Sequence, residues 1–426
     1  MRFTRVDDWL SWLETLHPRR IDPGLERVAS VARHMGLDAP DAAVITVAGT
    51  NGKGSTVAAL TALAGASGHR TGAYTSPHVR RYNERIAIDG EPVSDELLLS
   101  AFDAIDQARG GITLSYFEYG TLAALWCFRE RDCDMWLLEV GLGGRLDATN
   151  VVAPTVAVIT SVGVDHTEWL GPDREAIGRE KAGILRPGTP LVCADPEPPQ
   201  SVLDCANELD CPMYRLGQAF DVEPGADGCW NYVSGSRRMP GLPAPGGVPP
   251  RLLSNPAAAI TAVGLLRDGL PDDAEVVADA LGAAVPPARC QRLQRRLPWI
   301  VDVAHNCDSA TALAERLASE PCAGRTHAVF ALMERKDAAG IVTAMRKEVD
   351  VWHLIEMDDR GLRAPDELAA LLRDAGASVG QIGDTVSLMA SLDSAAGATD
   401  RIVAFGSFRV AEEVLAAHEH LLPAGL

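Results

Sequence analysis

The sequence is short of basic residues. Against 58 aspartates and glutamates stand 39 lysines and arginines, giving a net charge of −19. A surface that holds a nucleic-acid backbone needs clustered basic side chains, so the charge argues against a general nucleic-acid surface, and no nucleic-acid partner is expected. Small anionic ligands, which respond to local charge, are not excluded. A cysteine framework is also lacking. The nine cysteines, at 127, 133, 193, 205, 211, 229, 290, 307 and 322, include no CxxC spacing, which argues against a zinc ribbon. An odd number without a pattern reads as reduced thiols in a cytoplasmic protein. No apolar run reaches membrane-spanning length. The N-terminal MRFTRVDDWLSWLETL has acids among its apolar residues and is expected to be neither a secretion signal nor a spanning helix. Internal repeats, heptads and low-complexity tails are missing as well.

What is there is a 426-residue chain, 47% apolar and 23% charged, too long for one ordinary core. Helical periodicity over 8–36 breaks at His17-Pro18 and Asp22-Pro23-Gly24. Strands are expected at Val44–Ala48, Thr71–Thr75, Met135–Val140, Thr155–Thr160 and Pro190–Ala194, with helices at Thr56–Gly68, Ser94–Arg109, Glu118–Arg131 and Arg174–Gly183. Such alternation predicts an α/β fold with a mostly parallel sheet. Residues 218–250, rich in Gly and Pro, read as a short irregular β segment and a loop. Helices return at Ser254–Asp268 and Asp273–Ala284. A second α/β unit, with strands at Trp299–Val303, His327–Leu332, Val351–Ile355 and Arg401–Phe405, is expected after a boundary near 285–297, dividing the chain into 1–287 and 288–426.

Four clusters carry chemistry. Ile45–Thr56, ITVAGTNGKGST, runs from a strand through glycines into a helix. That order makes a phosphate loop, since the amides of a glycine turn and a helix N-terminus form an anion cradle. It is shorter than the standard nucleotide loop: only Thr50 and Asn51 separate Gly49 from Gly52-Lys53. Lys53 can reach terminal phosphates and Ser55 the Mg²⁺ that bridges them. In EVGLGGRLDATN, Glu139 ends an apolar strand, where open α/β sheets bind ligands. It suits a metal or a metal-bound water, against the plain alternative of a solvated strand end. In SVGVDH, His166 could ligate Mg²⁺ or bond a phosphate; hard cations prefer oxygen, which favours the bond. Lys181, in REKAGI, is either a solvated charge or a buried amine with a lowered pKa that reacts with CO₂.

Taken with YTSPHVRRYNERI, LSYFEYGTLAALW, DHTEWLGPDREAIGREKAGI, VDVAHN and VAFGSF, these motifs closely resemble the folylpolyglutamate synthase/dihydrofolate synthase family of Mur-ligase-like ATP-dependent ligases, from Trp9 to about Val410. The resemblance implies a P-loop ATPase domain with a mostly parallel sheet and a smaller Rossmann-like C-terminal domain. It implies ATP and Mg²⁺, with two metal sites, and a reaction through an acyl phosphate that L-glutamate attacks. The acceptors would be dihydropteroate and tetrahydrofolate forms, and the protein a cytoplasmic monomer.

Residue by residue, Asn51, Gly52, Lys53, Gly54 and Ser55 match the family's phosphate cradle, and Ser76, Glu139 and His166 its metal set. Lys181 matches a lysine that becomes carbamylated. Asn255, Arg289 and Asp302 match ATP contacts, while His305 and Asn306 would face a cleft that excludes water. Asp22, Pro23 and Gly24, then Ser115, Tyr116, Phe117 and Glu118, then Leu146, Asp147 and Ala148 match the dihydropteroate site of bifunctional members. There Phe117 would stack on a flat ring and Asp147 bond ring N–H groups.

The resemblance is looser after 285. Ala288 stands for a glycine in Pro287-Ala288-Arg289-Cys290-Gln291, and Cys307 for a proline. Met333–Asp337 replaces a more acidic motif. None of these removes a proposed catalytic group. The competing expectations are a monofunctional member, a cell-wall Mur ligase needing a further domain ahead of the first strand, and a P-loop regulatory ATPase.

Overall fold

The computed structural model describes residues 1–19, 22–267, 269–271, 273–358 and 361–421. The chain divides into two compact units, Met1–Pro245 with Leu253–Val285, and Gly246–Leu252 with Pro286–Leu426. The short segment 246–252 thus joins the second unit, although it precedes the end of the first in sequence.

The first unit is built on β1 (Ala43–Ala48), β2 (Thr71–Tyr74), β3 (Ile86–Ile88), β4 (Glu91–Pro92), β5 (Met135–Glu139), β6 (Val156–Ile159), β7 (Leu191–Cys193) and β8 (Met213–Arg215). They form one sheet in the order β4-β3-β2-β5-β1-β6-β7-β8. The run from β2 to β8 is parallel, and β3 and β4 add an antiparallel edge. A parallel strand covered on both faces needs apolar side chains on both, and Val44, Ile45, Val47 and Ala48 are all buried.

One face is covered by α1 (Val6–Leu16), α2 (Glu26–Met35), α4 (Asp95–Ala108) and α5 (Tyr116–Glu130), whose buried side chains join Val44, Trp136 and Leu138 in one core. Farther along, α7 (Arg174–Ala182) and α8 (Gln200–Glu208) pack on Ala48, Ala157 and Ile159. Helix α3 (Lys53–Ala66) lies against β1, β2 and β5, joined by α9 (Ser254–Gly264) and α10 (Ala274–Ala283). The short α6 (Thr167–Leu170) precedes α7.

The five strands expected in this unit are present, β3, β4 and β8 were not expected, and the differences at the helices have local causes. Helix α3 starts at Lys53, three residues before the expected Thr56, because Gly52 adopts φ 88° and turns the chain so that Lys53-Gly54-Ser55 form its first turn. Helix α5 starts at Tyr116, not Glu118, because Ser115 caps it. The Glu118 carboxylate accepts the Ser115 N–H at 2.7 Å, and the Glu118 N–H reaches the Ser115 hydroxyl at 3.3 Å. Residues 218–250 are more ordered than expected: β9 (Asp221–Pro224), β10 (Trp230–Ser234) and β11 (Arg237–Leu242) form an antiparallel meander, with Trp230 and Tyr232 buried. Asp268, the expected end of α9, lies outside the described residues, as do residues 422–426 of the second unit.

The second unit has a sheet ordered β12-β13-β17-β14-β15-β16, from β12 (Gln291–Leu293), β13 (Trp299–Val301), β14 (Thr326–Phe330), β15 (Val351–Ile355), β16 (Ser378–Gly383) and β17 (Arg401–Phe405). All neighbours are parallel except β12 with β13. Helices α11 (Cys307–Ser319), α12 (Ala338–Met345) and α13 (Pro365–Asp374) share a core with Phe330, Trp352 and Phe405; α14 (Thr385–Ala395) and α15 (Phe408–Leu421) complete it. No described helix is long and apolar enough to cross a membrane.

One packing contact sets the wall that the site is built on. Gly120, inside α5, faces two buried tyrosines: a Cβ there would run into the Tyr82 hydroxyl and lie 3.0 Å from that of Tyr74. Rigid rings cannot retreat in a full core. Gly120→Ala is therefore expected to destabilise the protein by about 1–3 kcal/mol despite its better helix propensity. A chemical-denaturation midpoint equal to wild type would refute this.

Candidate active site

The phosphate loop joins β1 to α3 and is stitched to the segment after β6. The Thr50 N–H donates to the Ser161 carbonyl at 2.8 Å, and the Asn51 N–H to the Ser161 hydroxyl at 3.1 Å. The Thr160 hydroxyl donates to the Asn51 carbonyl at 2.7 Å. Lys53 folds back, its Nζ donating to the Gly49 and Thr50 carbonyls at 3.1 and 3.3 Å. Asn255, from α9, packs directly on Gly52. A Cβ at Gly52 would collide with its amide oxygen and lie 2.7 Å from Nδ2. Asn255 and the 51–55 loop, far apart in sequence, are thus brought together.

Sheet register brings the next group in. Glu139 pairs with Val47, one residue before the end of β1, so its carboxylate stands beside the loop. It is buried, and its Oε2 accepts the Ser76 N–H at 3.0 Å. A Cβ on Gly54 would lie 3.7 Å from that oxygen, so the first turn of α3 passes close to the carboxylate without crowding it. A carboxylate and a hydroxyl are hard oxygen donors and suit Mg²⁺. His166 has φ 53° and heads α6, its side chain 44% exposed and its Nε2 4.0 Å from Asp165. Among the described residues, no group of three or more His, Cys, Asp or Glu side chains could hold a metal, so the expected set needs the Ser76 hydroxyl.

Lys181 is 3% exposed. Burial, reinforced by the Lys53 charge and opposed by Asp165, lowers its pKa from 10.5 to about 7. The buried amine of the two sequence readings is the one the structure contains.

The residues expected on the acceptor side meet at a cavity of about 430 Å³ within the first unit. Asp22, Pro23, Gly24, Ser115, Phe117, Glu118, Leu146, Asp147 and Ala148 all line it; Tyr116 does not. Tyr116 instead sits edge-on to Tyr82, with ring centroids 5.6 Å apart. Phe117 leans on Tyr74 at 5.7 Å, and Gly141 lets the backbone pass against its ring, since a Cβ there would lie 2.6 Å from Cζ. Both Asp147 oxygens are used within the fold. Oδ2 accepts the Leu142 N–H at 2.9 Å, and Oδ1 the Thr149 N–H and hydroxyl at 3.0 and 2.7 Å. Burial nevertheless raises its pKa.

Two groups of residues escaped the sequence reading. Arg27 ties the Asp22 loop to α5, bridging the carboxylates of Asp22 and Glu118 at 2.8 and 3.1 Å. His17 adds a 3.1 Å bond to Asp22 and is the largest cause of its lowered pKa. Pro77, Arg85, Arg145, Trp169, Leu170 and Glu180 also line the cavity, and so does Ser76, which was expected only as a metal ligand. Arg85 lies in the YNERI motif, which is visible in sequence but reveals no role there.

In the second unit, Asp302 is half-buried and accepts the N–H groups of Cys290 and Ala304 at 2.9 and 2.8 Å; desolvation raises its pKa, against the pull of Arg289. Arg289 lies over Phe408 at 5.4 Å, and the His305 ring is 6.2 Å from the same phenylalanine. His305 Nδ1 donates to the Val303 carbonyl at 2.8 Å, which leaves Nε2 as the acceptor in the neutral ring. Asn306 caps α11 through the Ser309 N–H at 3.0 Å. Ala288 and Cys290 hold φ of 52° and 47°, so the turn keeps a glycine-like conformation without glycine. Cys307 fits its place because Gly340 of α12 leaves room for its sulfur.

Known proteins share this fold. The chain is 40% identical over 409 residues to the dihydrofolate synthase/folylpolyglutamate synthase of Escherichia coli K12, covering 96% of this chain and 94% of that protein. It belongs to the dihydrofolate synthase/folylpolyglutamate synthase family. Residues 288–408 match the family model described as Mur ligase, glutamate ligase domain. The structure of E. coli FolC in complex with DHPP and ADP superposes with a TM-score of 0.91 at 37% identity, covering 98% of both chains. The bifunctional Yersinia pestis enzyme complexed with AMPPNP and Mn does so at 0.89 and 40%, again covering 98% of both. Members of this family are ATP-dependent ligases, and the two-unit α/β architecture expected from sequence agrees with these structures.

Two substitutions separate the halves of the site. Gly52→Ala forces a side chain into a left-handed turn and onto Asn255, and is expected to weaken ATP about tenfold or more. Phe117→Ala removes a ring face and should weaken dihydropteroate about tenfold or more while leaving ATP nearly unchanged. Calorimetric titration with each ligand checks both; a Phe117→Ala protein with wild-type pterin affinity would remove that ring from the site.

Proposed function

We propose that this protein joins L-glutamate to dihydropteroate, and to folates already carrying glutamate, by way of an acyl phosphate formed with ATP. One observation carries the reading: Ser76 belongs to both halves of the site. It lines the 430 Å³ cavity, and its N–H holds Glu139 beside the phosphate loop. An acid seated in the cavity therefore presents its carboxylate close to where ATP's terminal phosphate ends. The ligands named for two relatives, DHPP with ADP and AMPPNP with Mn, support the same division.

A carboxylate is a poor electrophile, and its attack on the γ-phosphorus brings two anions together. The loop amides of Asn51–Ser55 and the Lys53 ammonium would draw charge from the phosphates, Lys53 exchanging its two carbonyl partners for phosphate oxygens. Ser76, Glu139 and His166 would hold Mg²⁺, which supplies further neutralisation when bound. Attack by the α-amino group of L-glutamate on the acyl carbon then forms the amide and expels phosphate. Phe117 and the Asp22 and Asp147 loops orient the pterin, and Asn255, Arg289 and Asp302 contact ATP. His305 serves the second half of the reaction. A cytoplasmic monomer, a second metal and a carbamate on Lys181 complete the reading.

The carbamate has a pH signature. An amine with a pKa of about 7 is increasingly neutral, and so able to add CO₂, as pH rises through 7. The same depression makes the buried lysine a burden on stability. That penalty is absent above 10.5, grows as pH falls, and levels off below about 7. With ¹³C-bicarbonate, a carbamate resonance is expected that strengthens between pH 6 and 8 and is missing in Lys181→Met. A resonance that persists in the variant would assign it elsewhere.

The reading itself is tested by ADP release with ATP, Mg²⁺ and L-glutamate, run with dihydropteroate, with tetrahydrofolate, or with neither. The expected result is release that depends on either acceptor, with each product heavier by one glutamate. Release with one acceptor only would reduce the activity to a single synthase. Equal release with neither would make the protein an ATPase.

A further inference from the structure

The charges around the acceptor cavity can be accounted for one by one. Its lining contains the acids Asp22, Glu118, Asp147 and Glu180 and the cations Arg85 and Arg145. Asp22 and Glu118 are held by Arg27, and Asp147 by three hydrogen bonds from its own loop. Arg145 is spent on Glu180, at 2.9 Å. Arg85 alone among the lining cations has no acidic partner among the described residues.

Arg85 is nonetheless held firmly. Its Nε donates to His78 Nδ1 at 2.8 Å, and its guanidinium lies 5.3 and 5.7 Å from the ring centroids of Tyr82 and Tyr116. None of these three groups cancels its charge. A histidine that accepts at Nδ1 is neutral, and Tyr82, whose buried hydroxyl has its pKa pushed far up by burial, stays protonated. Stacking restrains the planar fork and leaves its Nη donors unspent. A half-buried cation held in place with no counter-ion among the described residues, in a cavity whose acids already have partners, is an anion receptor.

We propose that Arg85 receives the carboxylate of the acceptor, the group that becomes phosphorylated. The assignment rests on the ligase reading above and makes it specific. The Arg85 carbonyl accepts the Thr75 N–H at 2.9 Å, next to the Ser76 that bonds Glu139, and Arg85 and Ser76 both line the cavity, so a carboxylate on the Arg85 fork would lie toward the cavity's phosphate-loop end. The role of Tyr116, which lies outside the cavity lining, follows too: it positions Arg85. Discrimination comes from charge and fork geometry. An acid is taken, while an amide or ester of the same pterin leaves the guanidinium desolvated and unpaired.

The test is a cycle of two ligands and two proteins, titrated with ADP and Mg²⁺ present. The ligands are dihydropteroate and its carboxamide, which keeps both rings and loses the charge. Wild type should prefer the acid by about tenfold to 100-fold, the scale of a hydrogen-bonded charge pair. In Arg85→Gln that preference should fall to within about twofold of unity, with carboxamide and ADP affinities unchanged. An undiminished preference in Arg85→Gln would overturn the assignment and leave the ligase reading intact. Failure of wild type to bind either ligand would overturn both. Should Arg85→Gln lose ADP binding, and so its fold, Arg85→Lys decides. A lysine keeps the charge without the fork, so a preference cut several-fold supports the proposal and an unchanged one refutes it.

Discussion

The hydrogen bond from the Ser76 N–H to Glu139 is the constraint on which the site depends. A carboxylate buried at the end of a parallel strand must find donors or lose its charge. Here the donor comes from the chain leaving the neighbouring strand, so β2 and β5 are tied at their C-terminal ends as well as along their length. On the other side, β1 hands the chain to the phosphate loop, and the loop is bonded to residues 160–163 after β6. Four adjacent strands thus deliver their ends to one place. This is the geometry that lets a parallel sheet gather residues from distant parts of a sequence.

Lys181 and Lys53 show what such gathering costs. Two lysines brought near each other, one of them buried, repel. Burial first, and the Lys53 charge second, push the buried amine toward neutrality, and Asp165 offsets only part of this. A paired lysine would be more stable and chemically inert. An amine held near neutrality can react, and reaction with CO₂ would convert the repulsion into an attraction, a carboxylate facing Lys53.

Much of this was legible in the sequence, and what was not has physical reasons. ITVAGTNGKGST announced strand, loop and helix because each step has local chemistry: a β-branched run, then glycine, then alanine-rich turns. The cap of α5 was also written there, in Ser115-Tyr116-Phe117-Glu118, although the helix start was read two residues late. Strand β16 escaped because most of its SVGQIG is exposed at a sheet edge and has no apolar signature. The second unit's claim on 246–252 escaped because contacts, not composition, decide membership. The pKa of Lys181 depends on burial that no short motif encodes. Tyr116 shares a motif with Phe117, and only the helical turn between them decides that one faces the cavity and the other lies behind Arg85.

A protein with net charge −19 that works on anions needs its cations placed, not numerous. Long-range attraction is unavailable, so each anionic group has to meet a preorganised donor at close range, where partial burial raises the worth of each contact. The structure supplies these separately. On the proposed reading, loop amides and Lys53 would face the phosphates, and the Arg85 guanidinium, held against Tyr82 and Tyr116, would face the acceptor. Among the described residues, the cavity's other lining arginine and the one just behind its wall are committed to carboxylates: Arg145 to Glu180, and Arg27 to Asp22 and Glu118. Those committed pairs are what make the uncommitted one selective. They hold the wall still and neutralise its acids, and on the proposal above this leaves the charge on Arg85, which has no carboxylate partner among the described residues, for what enters the cavity.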